Sequence, residues 1–295
     1  MNLDIRTLVF VLGITRIIQV IVLYQQYKIS KHYQGVGWWL MWSIAGLAGF
    51  VAILLRGIPS FLLLTLIIQN SCIFLGTVFI YIGVMRFLGK EVNSRIIFSV
   101  STFFIVAIVY FVYVDNSAFM RNVIFNAAIA GASLWTAYVL FVHKMPSIAA
   151  SANFNAVVFL VHGVFFTYRT GMSLTGAPFD DIFEPTLFNY LPVLDALIVG
   201  LLWTYGFIIM LNQRLTAEKQ EANEALQGSE ERYRTLFSRA VDGIFIMTVD
   251  GKIVNVNESF ARMHGYCTDE MLDMKLKDLD TDGTAQLAPE RIGKL

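Results

Sequence analysis

The sequence predicts an all-α membrane bundle of seven transmembrane helices, followed by a helical linker and an incomplete α+β domain. Three observations carry this expectation. Hydrophobic residues make up 56% of the chain and charged residues only 15%, against about 25% charged in soluble domains. The apolar excess fills residues 1–213, whereas 214–295 have an ordinary soluble composition. Within the first part, seven stretches reach the roughly 20 apolar residues that a spanning helix needs. The formal net charge of zero gives no argument for nucleic acid. Cys72 in an apolar stretch and Cys267 in the tail occupy different environments, against both a disulfide framework and a shared metal.

The expected spans are 6–26, 37–56, 60–86, 96–114, 120–143, 153–170 and 187–212. Six breaks separate them. "KISKHYQG" is polar, "RGIPS" turns at Gly57 and Pro59, and "GKEVNSR", "VDNSAF" and "HKMPS" are short and polar. The last break, "TGMSLTGAPFDDIFEP", is long and acidic, with Asp180, Asp181 and Glu184. The first stretch runs into Arg16, Gln19 and "QQYK" without a small-residue cleavage site, unlike a signal peptide. Continuous rather than alternating runs exclude an outer-membrane barrel.

Seven spans place the two ends on opposite sides. With the N-terminus outside, Lys28, Lys31, Arg86, Lys90, Arg95, Lys144, Arg214 and Lys219 face inward, and only Arg6, Arg56, Arg121 and Arg169 face outward. Cytoplasmic loops carry such an excess of Lys and Arg, so the tail is expected in the cytoplasm of a bacterial inner-membrane protein. Trp38 and Trp39 would then stand at the inner interface as part of an aromatic belt.

Ionisable groups inside a membrane are costly and point to function by default. Arg16, Gln69, Asn70, His162 and Asp195 lie within four spans. At 1.5 Å rise per residue, all fall at one depth, roughly 12–15 Å from the outer end for Arg16 and Asp195. An Arg16–Asp195 pair between the first and seventh helices is the expected structural use. The alternative makes the layer the floor of an outward-facing cavity that senses a ligand or protons. His143 lies at the inner edge rather than opposite His162, against a bis-histidine haem. Residues 187–212 hold no lysine for a retinal Schiff base. Ala45/Gly49 and Ala127/Gly131 are small-residue pairs of the kind that let membrane helices approach.

From the seventh span the chain continues without Pro or Gly until Gly228. Leu211, Leu215, Ala222, Leu226 and Tyr233 recur at helical spacings and predict a seam, a marginal coiled coil through which two copies would pair. The boundaries expected are 1–213 for the membrane domain, 214–228 for the linker and 229–295 for the terminal region. "SEERYRTLFSRAV" reads as a separate short amphipathic helix. "DGIFIMTVDGKIVNVN" reads as two strands around a turn at Asp250–Gly251. "NESFARMHG" is a helix capped by Asn257 and ended by Gly265, and Thr268 caps another.

These elements, in this order, resemble the start of a PAS domain. The residues that carry the resemblance lie in "ERYRTLF", "DGIF", "DGKIVNVNESFARMHGY" and "TDEML": Asp242, Gly243, Asp250, Gly251, Asn255, Asn257, Phe260, Gly265 and Tyr266. "MLDMKLKDL" lacks the glycine usual after the second helix of that family. The family also implies three further strands and a long helix, so an open, partial domain is expected here. Cys267 is not in a flavin-reactive context and no histidine stands where a PAS haem ligand would, so no cofactor is assigned.

The stretches "GWWLMWSIAGLAGFVAILLRGIPS" and "NSCIFLGTVFIYIGVMRFLG" are similar to multi-pass sensor regions fused to PAS domains in bacterial signalling proteins. The resemblance implies a sensory input role for an unknown small-molecule or membrane-derived stimulus. It also implies an output beyond this sequence, a histidine kinase in preference to a diguanylate cyclase. A transporter or channel with a regulatory tail is the reading from another class, but no inverted repeat is visible. No catalytic motif occurs, so the chain itself is not expected to be an enzyme.

Overall fold

A computed structural model describes residues 5–56, 58–175 and 187–279. The chain divides into two compact units, Met1–Leu215 and Thr216–Leu295.

Among the described residues, the first unit is built of helices and short turns. Its helices are α1 (Ile5–Ser30), α2 (Val36–Leu55), α3 (Leu62–Phe87), α4 (Ser94–Tyr113), α5 (Ala118–His143) and α6 (Ala149–Leu174), joined by the first part of α7 (Leu187–Arg239). Seven helices among the described residues are long and apolar enough to cross a membrane. Their outer faces are apolar. Phe98, Phe103 and Ile96 on α4 are 73%, 74% and 60% exposed, an apolar surface far larger than soluble monomers show. α1 and α6 run four residues beyond the expected ends at 26 and 170, because polar ends such as "YKIS" keep helical hydrogen bonds outside the apolar stretch. α2, α3 and α4 fall within two residues of the bounds expected. The acidic segment with Asp180, Asp181 and Glu184 lies outside the described residues.

Local chemistry sets the helix ends. Asn93 caps α4, its side-chain oxygen accepting from the amides of Arg95 and Ile96. Ser117 does the same for α5 through Met120. Pro59 and Pro146 open short 3₁₀ turns ahead of α3 and α6, where a missing N–H costs nothing.

Large rings hold α7 in the bundle. Phe207 stacks on Trp39 with centroids 4.4 Å apart, and Trp203 stacks on Phe159 at 4.1 Å. At the far end of this packing, Arg214 donates to the carbonyl of Phe87 at 2.6 Å and lies over the rings of Tyr33 and Phe87. Trp39 is therefore core, only 1% exposed, while Trp38 beside it is 37% exposed. The place in a belt expected of Trp39 is overturned by its burial, because helical geometry turns neighbours about 100° apart and directs only Trp38 outward.

The two small-residue pairs differ in use. A Cβ built on Gly49 would sit in ordinary contact with Ile73 and Cys72, so α2 and α3 pack closely there. Gly131 has nothing within 4 Å and lines an apolar groove with Phe74, Val100 and Trp135.

In the second unit, α7 does not break at Gly228 but continues to Arg239. Glycine costs about 1 kcal/mol in a helix interior, too little to outweigh the Ala, Leu, Glu and Gln that flank it. Strands β1 (Phe245–Met247) and β2 (Ile253–Val256) form an antiparallel hairpin, with Phe245 opposite Val256 and an irregularity after Ile246. Gly251 closes the turn at φ 83°, the left-handed conformation glycine adopts freely. Then follow α8 (Glu258–His264) and α9 (Thr268–Met271). Ile253, Val256, Phe260, Ala261 and Met271 form a small core. The cap of α9 is Cys267, one residue before the expected Thr268, because the Glu270 carboxylate accepts from the Cys267 amide at 2.9 Å. That bond holds the Glu270 carboxyl below its ordinary value of 4.5. A depressed acid stabilises the cap above its unfolded pKa and ceases to do so as pH falls through the folded one.

Gly83 and Gly131 give opposite expectations for added bulk. A Cβ on Gly83 would lie 2.5 Å from the Trp39 ring, so Gly83→Ala should destabilise by about 1–3 kcal/mol through overpacking. Gly131→Ala should be neutral or stabilising by up to about 1 kcal/mol. Thermal unfolding of the purified chain in one detergent compares the two.

Candidate functional site

Membrane helices have no internal water to satisfy side chains, so the polar groups within the bundle must meet one another or a cavity. His162 on α6 and Asp195 on α7 meet. Nδ1 and Oδ2 are 2.8 Å apart, with both side chains about nine-tenths buried. The contact is close but is not aligned as a hydrogen bond. The imidazole stands edge-on to Phe166 and Trp203, centroids 4.8 and 5.1 Å away, which fixes its plane.

The expected Arg16–Asp195 pair does not form. The Arg16 guanidinium donates instead to Gln19 Oε1, one turn along its own helix, at 3.0 Å. It also lies 5.5 Å from the Trp42 ring centroid. Gly46 and Gly200 leave it room, since a Cβ on either would come within 3.4 Å of it. His162 reaches Asp195 first because α6 and α7 are packed together through Trp203 and Phe159. Arg16, His162 and Asp195 nevertheless line one cavity of about 110 Å³.

Gln69 and Asn70 line a second cavity of about 250 Å³, whose walls share Leu12, Ile53, Ile73, Phe166 and Ala196 with the first. Asn70 donates to the Leu66 carbonyl at 2.7 Å. The layer read from the sequence is thus two adjoining chambers. Sequence reasoning missed Arg56, Arg121 and Arg169, which also line the larger one. By sequence position alone they read only as outward-facing charges. Their signal was positional: each lies within a few residues of a helix end, at the same end of the bundle.

The seam residues on α7 divide. Leu211 is fully buried in the bundle core and Leu215 packs against it. Ala222 is exposed, as are Leu226 and Tyr233, 67% and 51%.

Asn257 carries the hairpin–helix junction. Its Oδ1 accepts from the amides of Phe260 and Ile244, both at 2.9 Å, and its Nδ2 donates to the Asp242 carbonyl at 2.9 Å. Gly243 lets the chain pass tightly over Phe260, where a Cβ would meet the ring at 2.8 Å. Gly265 ends α8 at φ 79°. Asn255 accepts from the Val256 amide, Tyr266 donates its amide to Ala261, and Asp250 lies 3.7 Å from Lys275. Among the described residues, no group of three or more His, Cys, Asp or Glu could hold a metal.

Residues 231–293 match the PAS domain family. The chain is 25% identical over 91 residues to the sensor histidine kinase TmoS of Ectopseudomonas mendocina, covering 30% of this chain and 9% of that protein. It is 35% identical over 77 residues to sporulation kinase E of Bacillus subtilis (strain 168), covering 26% of this chain and 10% of the kinase. The chain thus spans about a tenth of each curated relative it matches. No solved structure matches. The terminal region is PAS sequence, and the chain is similar over that length to parts of two kinases.

Two substitutions check these contacts. His162→Leu should destabilise by roughly 1–3 kcal/mol by leaving the carboxylate unmatched. Adding Asp195→Leu should recover part of the loss, and strict additivity of the two would exclude the contact. Asn257→Ala removes a cap and two further hydrogen bonds, and should cost the terminal unit about 2–3 kcal/mol, read as faster amide exchange in α8.

Proposed function

We propose that this chain is the sensory input half of a membrane-bound signalling protein, passing a stimulus from the seven-helix domain through α7 to the PAS region. One observation carries the reading. Residues of a single helix, Leu187–Arg239, line both bundle cavities at its start, with Asp195 and Ala196 among them, and its last turns lie inside the PAS-matching segment. A ligand or proton that biases the position of α7 therefore acts on the element that leads into the PAS fold. Coupling of this kind needs two arrangements of one element that both ends bias.

Both relatives are kinases, which favours a histidine kinase output over a diguanylate cyclase. The expected orientation has the N-terminus outside and the C-terminus in the cytoplasm of a bacterial inner membrane. The expected assembly is a homodimer. Ala222, Leu226 and Tyr233 form an exposed stripe on α7 that a second copy would cover, as in a short coiled coil.

In a Cys72→Ala background, exposed Cys267 should resist an impermeant maleimide in intact cells and react after permeabilisation. Labelling in intact cells would reverse the orientation. With Cys267→Ala added, Ala222→Cys and Leu226→Cys should cross-link between copies in membranes, and Glu224→Cys, on the opposite face, should do so poorly. Introducing Asp195→Asn should change the Leu226→Cys cross-linking rate at least twofold. An unchanged rate would disconnect the bundle from the linker.

A further inference from the structure

Helix α4 uses one face in two ways. Its buried residues, Phe104, Ile108 and Val112, all lie in its second half. They pack with Phe74, Val78 and Ile82 of α3, and Phe104 stacks on Phe74 with centroids 4.0 Å apart. Counting back by threes and fours, the spacing of one helix face, the same stripe continues to Val100, Ile97 or Ile96, and Asn93. These four do not pack on a neighbouring core. They line the groove that holds Gly131, between α3, α4 and α5, where the opposite wall is Ala127, Ala128 and Ala132. The α4 face that serves as interior in one half of the helix thus faces an apolar groove in the other.

Size and charge select the occupant. From Asn93 to Val100 the groove runs about 10 Å at 1.5 Å rise per residue. A volume of about 470 Å³ over that length gives a cross-section of roughly 45 Å², about half that of a helix 10 Å wide. A helix of a second copy is too thick for it, whereas an extended hydrocarbon chain is not. Hydrocarbon alone gives no selection, since lipid tails are as apolar as leucine, so any preference must come from the group at the mouth. Asn93 lines the groove at the end where α3 joins α4. Around it stand Arg86 in the last turn of α3, Lys90 in the connection and Arg95 in the first turn of α4, all exposed. Glu91 is the one acid in that stretch, and none of the three cations makes an ion pair among the described residues. Basic clusters flanking a span attract anionic lipid headgroups.

We infer that this groove is a binding site for an anionic phospholipid, with one acyl chain lying along Val100, Ile97 and Gly131 and the headgroup phosphate among Arg86, Lys90 and Arg95. The chain completes the packing of α4 where α3 and α5 do not reach it, and the cations choose the headgroup. Gly131 and the alanines keep the far wall low enough to admit the chain. The site is distinct from the two polar chambers and does not depend on the coupling proposed for α7.

The full chain, purified and delipidated in a non-ionic detergent, is titrated with phosphatidylglycerol or with phosphatidylcholine of the same acyl chains. Native mass spectrometry counts the lipids bound per chain and reports the oligomeric state. Phosphatidylglycerol should saturate one site per chain with an apparent affinity at least tenfold above that of phosphatidylcholine. A Cβ on Gly131 meets nothing within 4 Å, so Gly131→Leu projects into the groove without displacing a neighbour and should weaken both lipids tenfold or more. Lys90→Gln with Arg95→Gln, both on the surface and harmless to folding, should remove the preference for phosphatidylglycerol and leave phosphatidylcholine unchanged. Lys31→Gln, an exposed cation in the connection between α1 and α2, should change neither. Equal retention of the two lipids, binding that does not saturate, or binding indifferent to Gly131→Leu overturns the inference. A dimer that Gly131→Leu dissociates, with lipid binding unaltered, would give the groove to a second copy and overturn it equally.

Discussion

A polar side chain inside an apolar bundle has no water to turn to, and this constraint organises the first unit of the molecule. Where a partner lies within reach, the group takes it: Arg16 takes Gln19, His162 meets Asp195, and Ser151 takes Gln213. Where the partners run out, a buried atom goes without, as Gln69 Oε1 and Ser133 Oγ do. The apolar majority of side chains then faces outward. Burial on α4 is confined to Phe104, Ile108 and Val112, one narrow stripe, since lipid is as good a neighbour for phenylalanine as protein is. Hydrophobicity sets only that these helices are long and apolar enough to cross a bilayer; the polar groups and the tight glycines set how they face one another.

The seven spans were legible in the sequence because length and hydropathy suffice for them. The hairpin, the Asn257 cap and the Gly265 stop were legible because each rests on the conformational preference of one residue within a few positions. The pairing of Asp195 was not. Depth along a helix axis follows from rise per residue, and on that ground Arg16 and His162 were equally eligible partners. The choice between them depends on rotation about the axis and on which helices are neighbours. Those in turn depend on rings such as Trp203 and Phe159, whose contacts no local pattern specifies. The same limit hid the arginine cluster. Arg56, Arg121 and Arg169 are separated by dozens of residues, and only the bundle brings them to one chamber.

The helix break expected at Gly228 shows the opposite kind of error, trust in one residue over its context. A glycine weakens a helix by about 1 kcal/mol, but nucleation is the costly step and extension is cheap. An established helix passes a single glycine when its neighbours are good formers and side-chain pairs such as Glu230–Arg234 span the next turn, here 2.9 Å apart. Such a pair is exposed and contributes little. The glycine remains a point of lower helical stability within a helix that is otherwise continuous.

That weak point bears on how a small site could act at a distance. A ligand shifts a conformational equilibrium only by the difference in its affinity for the two states, typically 1–3 kcal/mol for an allosteric effector. The grip of α7 on the bundle comes from large rings, from Arg214, which donates to the Phe87 carbonyl, and from Gly206 and Gly200, against whose backbone Asn155 and Gln19 lie. Stacked rings tolerate sliding and small rotations better than interlocked small residues do. Glycine at position 83 admits the Trp39 ring on which Phe207 of α7 rests. The helix that carries Asp195 is thus held both by stacked rings, Phe207 on Trp39 and Trp203 on Phe159, and by two glycines that admit side chains of neighbouring helices.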